Sequence, residues 1–364
     1  VDTGGTFTDF FYPCENEIKI LKVLSTPDDP GRAIRQGIQQ LGLQDKPCLL
    51  IHGTTVGTNA VLEGKGARVV YITNSGFGDL LRIGRQNRSE VYSLSPSQRE
   101  IPIPKSDCLE VPCRLNPDGS WLEAPSELAL KELNTGLKSL TAESVAINLI
   151  HGWAAAEAEQ CLADHCPDAV FVAQSHQVLA EIGEYERGIA TWLQASTGPV
   201  LKKYLKRLNE QLNSISLKVM QSDGLTVSAE QAAERAVRLL LSGPAGGAAA
   251  ATYFASEYEI PHLLTFDMGG TSSDVALVGE DLSLTTDGRI GPWPVAVPMV
   301  DIHTIGAGGG SIVSIDGAGL IRVGPESAGA DPGPACYGKG GVQACVTDAH
   351  VVLGRIPVSY THLR

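Results

Sequence analysis

What the 364-residue chain lacks narrows its chemistry first. No stretch approaches 18 uninterrupted apolar residues, and the N-terminus does not pair a basic segment with an apolar one. The expectation is therefore a chain without a membrane-spanning helix or signal peptide. Positive charge is scarce, with 28 Lys and Arg against 41 Asp and Glu and a net charge of −13. This argues against nucleic acid as a partner, because a phosphate backbone rewards basic surface. Any phosphate bound here must be held locally, by backbone amides or a metal. The eight cysteines, Cys14, Cys48, Cys108, Cys113, Cys161, Cys166, Cys336 and Cys345, form no C-x-x-C pair and no zinc-like cluster. Reduced thiols in a cytoplasmic protein are expected. The common nucleotide signatures are missing too: there is no G-x-x-x-x-G-K-[ST], and "GAGGGS" fails G-x-G-x-x-G because Ser311 stands last.

What remains is 43% hydrophobic, with 40 glycines clustered between apolar runs, an α/β composition large enough for two domains. "DFFYPC" and "EIKILKV" predict a hairpin turning at Glu15 to Glu17, and Ile34, Ile38 and Leu41 behind Pro30 predict an amphipathic helix. A βαβ unit follows, with a helix over Asn59 to Glu63. Residues from about Ser95 to Pro125 read as an insertion or edge, and "VAINLIHGW" and "FVAQSHQVL" as buried strands. A helical stretch from Glu184 to Leu212 is the expected divider between halves, and a further helix is expected over Ala229 to Leu241. The division is then residues 1–190, 191–356 and a tail, "PVSYTHLR", set aside as sequencing read-through. Both ends read as cut.

One device occurs twice. Asp2, Gly4, Gly5, Thr6 and Asp9 of "VDTGGTFTDF" match Asp267, Gly269, Gly270, Thr271 and Asp274 of "FDMGGTSSDV". Each copy falls in the turn between a hydrophobic strand and its antiparallel neighbour. The glycines let backbone N–H groups converge on an anion, the hydroxyls (Thr6, Thr8, Thr271, Ser272) add donors, and Asp2 and Asp267 suit Mg2+ or Mn2+ beside nucleotide phosphates. The expectation is one triphosphate gripped by a turn from each domain. A single such turn would be ordinary, since Asp-Gly and Gly-Gly mark many hairpins. "DIHTIGAGGGSI" places Asp301 and His303 on one side of a strand, as a metal or substrate pair or as a solvated Asp and His before a flexible turn. "HGTTVGTN" gathers His52, Thr54, Thr55 and Asn59 where a strand meets a helix, a place that lines clefts in α/β sheets. "GRQNR" offers Arg85 and Arg88 for a substrate carboxylate, or is a basic solvated loop. Cys336 lacks a neighbouring base and is expected to be a small buried thiol rather than a nucleophile.

Through "DTGGTFTD", "HGTTVGTNAVLEGKGARV", "GFGDLLRIGRQNR", "EIGEYER", "LLSGPAGG", "FDMGGTSSDVALV", "DIHTIGAGGGSI", "GPESAGADPGPACYG" and "VTDAHVVLGR", the chain resembles the A component of the hydantoinase/5-oxoprolinase family. The resemblance implies a two-lobed actin/sugar-kinase/Hsp70-like ATPase fold of duplicated ribonuclease H-like domains. It also implies ATP with Mg2+, a cyclic amide substrate, a separate or fused B-type component and an oligomeric enzyme. Gly306, Gly308, Gly309 and Gly310 would then lie near the nucleoside, and Asp2, Asp267, His52, Asp301 and His303 would serve catalysis. "MQSDGLTVS" and "GEYERGIATWLQASTGPV" depart from the family pattern, which leaves the substrate open. Two other functions stay possible on sequence grounds: the ATP-binding subunit of an acetone carboxylase, and an Hsp70- or activator-like ATPase with no small-molecule substrate.

Overall fold

The computed structural model describes every residue except 5–6, 15–16, 27, 88–89, 96–99, 271, 330–331 and 357–364. The turn residues Glu15, Gly5, Thr6 and Thr271, together with Arg88 and the tail, therefore lie outside what is described below. The chain forms two compact units, one of Val1–Gly243 with Thr285–Met299, the other of Pro244–Leu284 with Val300 onward.

In the first unit a six-stranded sheet runs Thr226–Ser228, Ile215–Met220, Cys48–Thr54, Asp2–Thr3, Phe7–Cys14, Glu17–Leu24. Cys48–Thr54 is parallel to both of its neighbours, whereas the last three strands form an antiparallel meander. A second, fully parallel sheet runs Phe171–Gln174, Ser144–Ile147, Val69–Asn74, Cys108–Val111. Its two middle strands are buried at every position, as continuous Val/Ile runs in parallel sheets require. Cys108–Val111 is one of the sheet's two edge strands, in keeping with the insertion or edge expected there.

Helix Pro30–Gln40 opens on its proline and buries Ala33, Ile34, Gly37 and Ile38. A Cβ built on Gly37 would fall 2.1 Å from the Phe10 ring, so glycine is what lets this helix lie on the hairpin. The long helix Glu184–Gln211 lies inside the first unit and joins two of its hydrophobic clusters, one holding Ile189 and Leu193 with Tyr71, the other Leu201, Leu205 and Leu208 with Phe10 and Ile34.

Three expected elements change shape for identifiable reasons. The helix expected from Asn59 begins at Val56. The helix expected over Ala229 to Leu241 stops at Glu234 and resumes as a 3-10 turn, Ala236–Leu239. Gln194 from the long helix bridges that break, its amide donating to the Glu234 carbonyl at 2.8 Å and its oxygen accepting from Val237 N–H at 2.9 Å. The strand over Phe171 ends at Gln174 because the Glu159 carboxylate captures the Ser175 hydroxyl at 2.5 Å and His176 N–H at 3.0 Å.

The second unit is built on a three-stranded antiparallel sheet, Leu263–Met268, Ser273–Val278 and His303–Ile305. Ala276 and Val278 pack with Ala245 and Ala248 of helix Ser242–Glu257. Alternation puts Leu264, Phe266, Met268 and the paired Leu277 on the opposite face, where each is exposed. Hairpin Ser311–Ile315/Ile321–Ser327 and helix Val346–Val352 complete the unit. The architecture is mixed α/β, consistent with an actin/sugar-kinase/Hsp70-like ATPase fold. No described helix is long and apolar enough to cross a membrane.

Candidate functional site

Among the described residues, the two matching segments share one strand register and one closing bond. In the first, Asp2 pairs with Asp9 and Thr3 with Thr8, and the Gly4 N–H closes the turn on the Phe7 carbonyl at 2.9 Å. In the second, Asp267 pairs with Asp274 and Met268 with Ser273, and the Gly269 N–H closes on the Ser272 carbonyl at 2.8 Å. Register and closing bond coincide although the side chains around them differ. A third strand occupies the second aspartate in both cases. Asp9 is salt-bridged to Lys22 at 2.5 Å, and Asp274 accepts the Thr304 hydroxyl at 2.7 Å. The first aspartate of each copy, Asp2 or Asp267, is exposed beside its glycines.

The loop after strand Cys48–Thr54 meets the first turn. Thr3 pairs with Thr54, and the Thr55 hydroxyl donates to the Thr3 carbonyl at 3.1 Å while lying 3.4 Å from the Asn59 amide. The Asp2 carboxylate lies over Gly53, where an added Cβ would sit 3.0 Å from Oδ1. The start of "SGPAGG" joins the same loop, with Leu241 N–H on the Thr58 hydroxyl at 3.1 Å and the Ser242 hydroxyl on the Thr54 carbonyl at 3.3 Å. Ser242 had no distinguishing sequence signal, because its partner is 188 residues away.

Several expected site residues are occupied otherwise. His52 is fully buried, its Nε2 is 2.8 Å from the Tyr204 hydroxyl, and burial pushes its pKa down to about 3. A neutral, solvent-excluded imidazole cannot meet a substrate, so His52 is structural rather than catalytic. Thr54 is buried and caps Val56 N–H at 3.2 Å, and buried Thr8 shares its hydroxyl with Ser25 at 3.1 Å. Neither is placed to touch a ligand. Arg85 is held by Glu186 through two bonds of 2.7 and 2.6 Å, which use the face a substrate carboxylate would need. His303 opens its strand in register with Val275, while exposed Asp301 lies before the strand with its N–H on the Ser283 carbonyl at 2.8 Å. The shared strand face expected for that pair does not form.

The glycine run is also reassigned. Gly309 N–H donates to the Gly269 carbonyl at 2.9 Å, Gly310 N–H to the Gly270 carbonyl at 2.6 Å, and Gly308 N–H to the Ser311 hydroxyl at 2.9 Å. These donors are used within the fold and are not offered to a nucleoside; Gly306 has open space around it. Cys336 is half-buried and its thiol is pushed up to about 12, by burial first and by Asp348 second, so it is no nucleophile.

Among the described residues no cluster of three His, Cys, Asp or Glu side chains could hold a metal alone. Single exposed carboxylates at Asp2 and Asp267 do fit Mg2+ that arrives with phosphates and keeps its waters, since such an ion needs only one or two protein ligands.

The hydantoinase/oxoprolinase N-terminal region model matches residues 1–170, and the hydantoinase/oxoprolinase model matches residues 187–362. The chain belongs to the hydantoinase/oxoprolinase family. Within this family it is similar to the caprolactamase subunit alpha of Pseudomonas jessenii, 34% identical over 97% of this chain and 54% of the relative. It is also similar to a 5-oxoprolinase of Dictyostelium discoideum, 31% identical over 99% of this chain and 33% of the relative. The crystal structure of ATP-dependent caprolactamase from Pseudomonas jessenii matches with a TM-score of 0.84 at 33% identity, covering 97% of this chain and 54% of that one. The chain thus spans about half, or less, of the length of these hydantoinase/oxoprolinase relatives.

Proposed function

We propose that this chain is the nucleotide-binding part of an ATP-dependent enzyme that opens a cyclic amide such as 5-oxoproline, a hydantoin or a lactam. The observation that carries this proposal is the Asp-x-Gly-Gly turn, folded twice with one register and one closing bond in a hydantoinase/oxoprolinase chain. A relative described as ATP-dependent supports it.

The chemistry explains why ATP is needed. An amide carbonyl is a poor electrophile, and an opened five-membered lactam recloses readily because its ends stay together. In the proposed sequence the amide oxygen attacks the γ-phosphorus and the bond to ADP breaks. Water then adds to the activated carbon and the C–N bond opens to leave an acyl phosphate; a second water attacks its carbonyl carbon, and phosphate departs carrying the former amide oxygen. Phosphoryl transfer asks the protein mainly for position and charge neutralisation. Each turn, within its own unit, offers backbone N–H groups that suit phosphate oxygens, and Thr55 and Asn59 border the first turn where a substrate would approach. Asp2 or Asp267, each beside its own turn, would hold Mg2+, which when bound neutralises phosphate charge. Attack by water is assigned to a B-type component; the name "subunit alpha" of the caprolactamase relative fits such a partnership.

The test is ATP turnover by the full-length chain with its B-type partner across 5-oxoproline, hydantoin, caprolactam, and acetone with bicarbonate. Stimulation by at least one cyclic amide is expected. Stimulation by ketone and bicarbonate alone would make it a carboxylase subunit, and stimulation by none would overturn amide activation.

A further inference from the structure

Gly4 and Gly269 hold equivalent places, each two residues after the first aspartate of its turn, and in both the carbonyl is taken by a donor from elsewhere in the same unit. Gly4 O accepts the Ser25 hydroxyl at 2.8 Å, and Gly269 O accepts Gly309 N–H at 2.9 Å. The single cis peptide bond found among the described residues is Gly324–Pro325, so the bond after Gly269 is trans. In a trans peptide the carbonyl and the next N–H point in opposite directions. Anchoring Gly269 O on the Gly309 side therefore sends Gly270 N–H to the other side. Glycine peptides rotate at little cost, and an unanchored turn would spend time with a carbonyl where an anion needs a donor.

The second anchor is itself braced. Gly309 O accepts both the N–H and the hydroxyl of Thr347, each at 2.8 Å, so Gly309 is hydrogen-bonded through both its N–H and its carbonyl. Gly310 adds a second rung to Gly270. The close approach requires glycine: a Cβ on Gly308 would fall 2.7 Å from Gly269 O, and one on Gly309 would fall 2.6 Å from the Thr347 hydroxyl. On the first turn, Ser25 does with one hydroxyl what the Thr347–Gly309 pair does on the second.

We propose that Ser25 and Thr347 are positioning residues that preset the peptide planes of the two turns for phosphate. This rests on the nucleotide role proposed above. Neither side chain is assigned to ligand contact; each acts through a turn carbonyl, directly or through Gly309, and preorganised donors lower the cost of binding.

The experiment is titration of Mg·ATP into the full-length chain carrying Ser25→Ala or Thr347→Val, with Ser25→Thr and Thr347→Ser as hydroxyl-keeping controls, and with folding checked by circular dichroism. The Ala and Val variants are expected to lose about tenfold in ATP affinity, the scale of one anchoring hydrogen bond. The controls should stay within about twofold, and the KM for the amide should not move. Folded Ala and Val variants that bind ATP like the wild type would overturn the proposal. Should Thr347→Val fail to fold, Ser25→Ala decides on its own. A wild type that binds no ATP would instead bring down the nucleotide role, and this inference with it.

Discussion

Buried His52 is neutral in the folded chain, with its pKa near 3 against an ordinary 6.5 once unfolded. The unfolded state therefore binds a proton between those values that the folded state refuses. Stability contributed by the neutral ring is intact above pH 6.5 and is lost as pH falls toward 3. Urea denaturation between pH 4 and 7 should show this as a slope that drops by about one proton in His52→Gln; an unchanged slope would mean the ring is not excluded from water. Gly308→Ala should be worse tolerated, because its Cβ would meet Gly269 O and the backbone of Gly270 and Ser272 within 2.8 Å. A loss of about 1–3 kcal/mol in thermal unfolding is expected, as for other overpacked sites. At this scale the residue types at the turns were legible, since two identical patterns each followed a hydrophobic strand. Roles were less so. His52, Thr8 and Thr54 look reactive in the sequence, and only their burial identifies them as structural.

Elements follow local rules where the partners are local. The hairpin Phe7–Cys14/Glu17–Leu24 and helix Pro30–Gln40 were readable because alternation and 3.6-residue spacing are written into short stretches. The break after Glu234 was not readable, because the group that stabilises it, Gln194, comes from a helix 40 residues earlier. Gln194→Ala would leave the buried Val237 N–H and the part-buried Glu234 carbonyl without that partner, costing about 1–3 kcal/mol in denaturant unfolding. A variant as stable as the wild type would show that the break needs no bridge. The glycine run Gly308–Gly310 makes the same point for function. Its composition suggested contact with a ligand, but the long-range pairing with Gly269 and Gly270 makes it the support of a turn.

For the whole molecule, sequence motifs carried the family and the α/β class, and the comparisons agree over nearly the full chain. Residues Thr285–Met299 return to the first unit after the second has begun, a return that no local pattern in the sequence marks. Substrate identity is also absent from the motifs: the phosphate role proposed for the turns is one that every candidate reaction shares. The central claim is that the γ-phosphoryl group passes to the amide oxygen. It is tested most directly by giving the full-length enzyme and its B-type partner an accepted cyclic amide labelled with oxygen-18 in the carbonyl, and analysing the released phosphate by mass spectrometry. The account predicts that the label appears in inorganic phosphate, one atom per turnover. Unlabelled phosphate, with all of the oxygen-18 retained in the ring-opened carboxylate, would contradict it.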